Sequence, residues 1–274
     1  MTALPTSAAL PSTLKLGLSR GVLELKTYVR EKEAVVFTFA MPVVLLLIFG
    51  TIFKGQVEGT NVDFRQYFAA GIIASGITST TFISLGVGIA QERDDGTLKR
   101  LYGTPMPKTA YFIGKTISAL VLSVVETVIL FVLGGLLFGL KPPSTPERWF
   151  TLIWVFVAGV AVCTLLGIAV SSVPRSGRGA AAVLNLPYIV LQFISGVYFT
   201  FDALPKGVQQ VGALFPLKWI CQGFRSALLP DTLLPAEPAH SWEHGRIALV
   251  LAAWGVAGFV LCLTTFRWKR RKDG

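Results

Sequence analysis

The chain has 274 residues, of which 53% are hydrophobic and 15% charged, where a soluble domain carries about a quarter charged residues. This balance excludes an ordinary soluble domain and, with the apolar residues gathered into long runs, indicates a helical membrane protein. The net charge of +10 does not point to nucleic acid, because the Lys and Arg residues flank the apolar runs and leave no soluble basic domain.

In chain order, Leu14 to Tyr28 is amphipathic, with Leu14, Leu18, Leu25 and Tyr28 on its apolar side and Lys15, Arg20, Lys26 and Arg30 forming a basic face. It reads as a helix lying in the inner membrane interface. No secretory signal is apparent. The first apolar run, Ala34–Phe53, is free of charge, too long for a signal h-region and not followed by a small-residue cleavage site. Further runs at about 66–90, 110–139, 149–173, 180–201 and 247–266 complete six predicted spans. Lys and Arg are denser in segments 1–33, 91–108, 174–179 and 267–274 than in 54–65, 140–148 and 202–246. The positive-inside rule therefore predicts a multi-pass protein of a bacterial-type plasma membrane with both termini cytoplasmic. The expected organisation is an N-terminal segment 1–33, a six-span unit 34–266 and a basic tail 267–274 anchored by Trp268. Within the long connection 202–246, Val211–Leu229 is apolar but carries Lys218, Arg225 and Pro216, which suits a surface-lying or re-entrant pair of short helices better than a seventh span. Cys163, Cys221 and Cys262 are odd in number and two lie in apolar runs, which argues against a disulfide framework or metal cluster.

Several polar residues fall at membrane depth. The second span holds Ser75, Thr78, Ser79, Thr80, Thr81 and Ser84 on several faces, so it is expected to be surrounded by other helices. Glu126 is the one acidic residue well inside a run, about 16 Å beyond Lys115, which is expected to snorkel to the inner interface. Glu126 either lines a substrate route or pairs with a cation, or it is protonated or bonded to a neighbouring helix. Asn185 and Gln192 are seven apart and share a helical face, with Pro187 between them. Gly159, Cys163, Gly167 and Ser171 form a small-residue row suited to helix packing.

The segment Glu92–Pro105 is a charged, turn-forming insert between two apolar runs. Asp94-Asp95-Gly96 is turn chemistry, Thr97 suits an N-cap for a short helix from Leu98, and Pro105 and Pro107 stop that helix. By these features alone it is either a solvated turn or a docking knob. Glu92, Gly96, Thr97, Leu98, Arg100, Leu101, Thr104 and Pro105 match the pattern E-x-x-x-G-T-L-x-R-L-x-x-T-P. This pattern resembles the permease subunits of ABC-2 type transporters, the group that includes daunorubicin-resistance membrane proteins. The entry Tyr28–Phe39 with Pro42, and the stretch Ser195–Phe199, Ala203–Pro205 and Pro216–Arg225, are similar to the family's first span and external hairpin. The resemblance implies an all-α polytopic fold of the type V exporter kind, with six transmembrane helices, an N-terminal amphipathic helix, an external re-entrant hairpin and a coupling helix at about 91–105. That helix would dock on a separate ATPase subunit, two copies per complex, joined by a second permease copy, identical or paralogous. It further implies that spans two and five line the central pathway. Thr78, Thr81, Glu126, Asn185, Gln192 and Phe193 are the lining candidates, with helix packing as the other reading of each.

No catalytic or metal site is expected in this chain. Gly114-Lys115-Thr116 ends like a phosphate-binding loop, but position 109 is Thr and the segment opens a span. His240-Ser241-Trp242-Glu243-His244 spells H-x-x-E-H, yet it sits in a loop with no third ligand evident. ATP and Mg are expected on the partner ATPase, and this chain is expected to be no enzyme. The expected function is an exporter permease for a hydrophobic or amphipathic small molecule, drug-like or lipid. A lipid-linked glycan exporter and a non-transport membrane assembly protein are the alternatives.

Overall fold

A computed structural model describes residues 12–268. Helix α1 (Thr13–Arg30) starts behind the Ser12 side chain, which accepts from the Lys15 amide, and ends at Glu31. Then come α2 (Lys32–Ile52), α3 (Phe64–Thr78), a π-helical turn (Ser79–Ser84) and α4 (Leu85–Asp94). The short α5 (Thr97–Tyr102) precedes α6 (Lys108–Phe138), α7 (Pro146–Val170), α8 (Gly177–Ile194), α9 (Lys206–Leu214), α10 (Pro216–Leu228) and α11 (His244–Thr265). No strand occurs among the described residues. Among the described residues, six helices are long and apolar enough to cross a membrane: α2, the continuous Phe64–Asp94 unit, α6, α7, α8 and α11. The 31 residues of Phe64–Asp94 and of α6 reach about 46 Å, so each projects beyond a ~30 Å hydrocarbon core. The end of the first and the start of the second flank α5.

The second span is the axis of the bundle. Every residue from Tyr67 to Thr78 is buried, in contact with α2, α6, α7 and α10. This is the surrounded position its hydroxyls predicted. Thr78 and Thr81 donate to the carbonyls of Ala74 and Ile77, four residues back, Thr81 at 2.6 Å. Such back-bonding loosens the helical ladder, and the π turn begins right after Thr78 and contains Thr81. The small-residue row of α7 is what lets it approach. A Cβ on Gly167 would stand 2.7 and 2.9 Å from the Thr81 and Phe82 carbonyl oxygens, and Gly159 lies under Ile220 of α10.

At the end opposite α5, the fifth span stops at Ile194 rather than near 201, because Gly196 takes a φ of +74° and turns the chain. The next two helices form the expected hairpin. Every residue of α10 is buried against α3, α7 and α11, so it is packed into the helix bundle rather than laid over its outside. Its charges are compensated locally. The Arg225 guanidinium lies 3.6 Å from the Tyr67 ring centre and donates to the Gly196 carbonyl. Lys218 donates to Gln222 at 2.5 Å and stacks 3.7 Å from the Trp219 ring. Burial pulls the Lys218 ammonium down to about 8.

Two expectations follow. Gly167→Leu should cost about 1–3 kcal/mol, because the added atoms meet backbone that has no room to shift; an unchanged thermal midpoint in purified protein would contradict the close approach. For Lys218, the charged form is penalised in the fold, so that penalty is complete below pH 8 and fades as pH rises toward the unfolded value near 10.5. The wild-type midpoint should therefore gain on that of Lys218→Met between pH 7 and 9.5, and parallel curves would count against it.

Candidate functional site

The charged insert is divided by one backbone feature. Helix α4 runs through Glu92 and Arg93 to Asp94, and Gly96, at φ +80°, breaks it from α5. The cap differs from the sequence expectation. Thr97 is already helical, and the Asp95 carboxylate accepts from its amide at 2.8 Å. Asp95, two residues earlier, caps better because the αL glycine turns its side chain back over the helix start. The separate helix is thus only Thr97–Tyr102, and the first residues of the 91–105 unit belong to the second span.

Glu92 and Arg93 tie α4 to different neighbours. The Glu92 carboxylate accepts from Tyr111 Oη and Lys115 Nζ, both at 2.7 Å, and lies 3.5 Å from Arg20. Lys115 also bonds Glu24 at 2.7 Å, and Glu24 pairs with Arg20 on α1 at 2.5 Å. Arg93 donates to the Ser171 carbonyl at 2.6 Å and the Arg267 carbonyl at 3.0 Å. Two sequence expectations are corrected here. Lys115 is buried in an ion cluster instead of snorkelling, and Arg20 turns inward instead of joining a basic solvent face. The physical reason is that α1 packs on α6. Gly17 and Gly21 face Ile113 and Ile117, and Gly114 faces Arg20, so the backbones approach closely enough to bring the four charges together. The spacing Gly17-x-x-x-Gly21, with Glu24 four residues after Arg20, is the signal in the sequence that would have located this contact.

Of the other motif residues, Leu98 is fully buried with Leu85, Ile89, Tyr111 and Ile168, and Leu101, Phe266 and Trp268 pack on this cluster. Trp268 stands 5.4 Å from the Tyr111 ring and 6.2 Å from the Tyr102 ring. Arg100, Tyr102, Thr104 and Pro105 are exposed, and Gly96 and Thr97 are half-buried. The result is a knob anchored from below by Leu98 with an exposed polar and aromatic top. Residues 1–11 and 269–274 of the predicted N-terminal segment and basic tail lie outside the described residues.

The lining candidates are scattered. Thr78, Thr81, Glu126 and Gln192 are buried within the single copy. Thr78 faces Cys163, Thr80 donates to Glu126, and Gln192 joins a buried network with Ser75, Tyr188 and Tyr198. Asn185 donates back to the Ala181 carbonyl, and Phe193 is exposed beside Tyr198 and Phe199. The predicted shared face of Asn185 and Gln192 therefore divides, with Gln192 turned into the bundle. Between α1, α4 and α6, a cavity of about 400 Å³ runs from Glu92 and Lys115 to Thr80 and Ser118. Burial raises the Tyr28 phenol on its wall, opposed by a bond with Thr38, so it is neutral near pH 7.

The family profile described as ABC-2 type transporter matches residues 22–229, which takes in the second half of α1, the knob, five spans and α10. The chain belongs to the ABC-2 type transporter family. Among its curated relatives, the "Putative transport permease YvfS" of Bacillus subtilis (strain 168) is 22% identical over 201 residues, 72% of this chain and 79% of the relative. The "Probable multidrug ABC transporter permease YbhR" of Escherichia coli (strain K12) is 20% identical over 201 residues, 73% of this chain but 53% of the relative. The "Linearmycin resistance permease protein LnrN" of Bacillus subtilis (strain 168) is 25% identical over 166 residues, covering 61% of this chain and 42% of the relative. Against the latter two, the match spans about half of the relative's length. The chain is a multi-pass membrane protein of this permease family.

Removing one partner from a largely buried ion cluster leaves the others uncompensated. Lys115→Met should cost about 3 kcal/mol of unfolding free energy, and adding Glu92→Gln should return part of it. Strictly additive losses in that double-mutant cycle would show that the two side chains are not coupled.

Proposed function

We propose that this ABC-2 permease is the membrane-spanning half of an ATP-driven exporter for hydrophobic or amphipathic small molecules. Two permease copies would join two ATPase subunits, which carry the ATP and Mg, while this chain itself hydrolyses nothing. Both termini and α5 would face the cytoplasm, as the Lys and Arg distribution favours. The observation that carries this reading is the α5 knob. Its exposed Arg100, Tyr102, Thr104 and Pro105 suit a cleft on a partner, and its roots in Leu98, Glu92 and Arg93 suit transmission of a displacement. The names of YbhR and LnrN, a multidrug permease and a resistance permease, support small-molecule cargo.

The exposed apolar side of α8, with Leu186, Ile189, Val190 and Phe193, suits contact with the second copy. Phe193 and Asn185 would then border the pathway between copies. Thr78, Thr81, Glu126 and Gln192 would reach it only in a state that parts α3 from α7 and α8.

The test is co-purification and co-reconstitution with the ATPase. Tyr102→Ala with Arg100→Glu should weaken the complex about tenfold or more, since exposed aromatic and Arg residues dominate such contacts. Gly96→Pro, which forbids φ +80°, should leave membrane insertion intact but abolish cargo-stimulated hydrolysis. Unchanged association and transport in both variants would remove α5 from the coupling role.

A further inference from the structure

The cavity between α1, α4 and α6 has a chemistry of its own. Four carboxylates line it, Glu24, Glu31, Glu92 and Asp95, against the two cations Arg20 and Lys115, and both cations are already paired with Glu24 and Glu92. The hydroxyls of Thr80, Ser84 and Ser118 also line it, Thr80 deepest, about 16 Å from the Gln91 level by helical rise. Behind Thr80 lies Glu126, 2% exposed. The Thr80 hydroxyl donates to Glu126 Oε2, while Oε1 lies against Gly76 with no hydrogen-bond partner.

Among the described residues, nothing cationic faces this carboxyl group. Around it stand Thr80 and Gly76 of the second span, Leu130 of its own helix, and the phenols of Tyr28 on α1 and Tyr188 on α8. An ionisable group at this depth costs a few kcal/mol unless it is paired, and such groups mark routes for charged ligands. The missing counter-charge has an open approach. One wall of the cavity is α1, through Arg20, Leu23, Glu24, Thr27 and Tyr28, and the exposed Leu14, Leu18 and Val22 of the same helix suit the membrane interface at the α5 end.

We propose that this cavity binds the ammonium headgroup of a cationic amphiphile taken from the leaflet at the α5 end, with Glu126 as its counter-ion. The ammonium donates to Thr80 Oγ1, whose own hydrogen stays on Glu126, so one hydroxyl separates the two charges. The hydrocarbon part lies along Leu23, Leu85 and Leu122, which share the cavity wall. An anionic ligand meets an excess of carboxylates, and a neutral one leaves Glu126 unpaired. This site lies inside one permease copy, so it needs no second copy to form. Its identification as a cargo intake rests on the exporter reading, but binding itself does not.

The probe is dansylcadaverine, a fluorescent primary ammonium, titrated against the full chain in nanodiscs without ATPase and corrected for empty nanodiscs. Its N-acetyl derivative supplies the uncharged control. Saturable binding of the amine is expected, weakened at least tenfold by Glu126→Gln and by Thr80→Val, and retained within a few-fold in Glu126→Asp. Leu122→Trp, which fills the cavity without touching a charge, should remove it. Equal binding of the acetylated probe, or undiminished binding in Glu126→Gln or Leu122→Trp, overturns the proposal. Binding in the expected pattern without ATP-driven transport of the amine would sustain the site and count against the exporter reading alone.

Discussion

The arrangement at the α5 end depends on one constraint: charges at the edge of a low-dielectric region must find partners inside the protein. Glu92 terminates a buried span, and Lys115 opens the long sixth helix at the same level. Each answers the other, yet two carboxylates and two cations close the account only when α1 supplies Arg20 and Glu24. Glycines at Gly17, Gly21 and Gly114 make that possible by letting α1 lie directly on α6. The ion cluster is therefore weak as a source of net stability but strong as a fixer of position, since breaking it exposes an unpaired charge.

Positioning matters because α5 has no stability of its own. Six residues form too short a helix to persist in isolation, so its order is borrowed from what it touches. Leu98 sits in a core cluster shared by α4, α6, α7 and the exit of α11. Glu92 leads to α1 and α6, and Arg93 leads to α7 and Arg267. A push on the exposed top of α5 thus reaches four helices through packed or hydrogen-bonded contacts rather than through a flexible loop. The second span, which ends in this knob, also contains the π turn, the part of its ladder with the least regular bonding and a natural place for it to yield.

Much of this was legible from residue order. Hydropathy located all six spans, because a run such as Ala34–Phe53 has few other physical uses, and the hydroxyl-rich second span announced its central place. Pro216, Lys218 and Arg225 rightly argued against a seventh span. What was not legible depended on backbone geometry or on pairs distant in sequence. The left-handed turn at Gly196 shortened the fifth span, and the one at Gly96 moved the cap to Asp95. Lys115 looked like a snorkelling residue because its partners lie 91 and 23 positions away. Gln192 and Asn185 share a heptad spacing, but Gln192 is drawn inward by Ser75, Tyr188 and Tyr198, a choice no periodicity encodes.

The buried charges of this permease differ in how completely they are answered, and the difference is informative. Arg225 is only 1% exposed, but it has an aromatic face and a carbonyl, both within its own chain. Lys115 has two carboxylates. Glu126 has one hydroxyl, no cation and an oxygen against a glycine, although an unanswered carboxyl is the most costly of the three to keep. Glu237 is also deeply buried and has no hydrogen-bond partner, but it lies within reach of the Arg225 and Lys218 charges. Among the described residues, Glu126 has no such cation beside it, and so no pairing reason to be retained. Its position behind a cavity-lining threonine, at the end of an acid-rich passage, gives it a reason of another kind: the compensating charge arrives with the ligand.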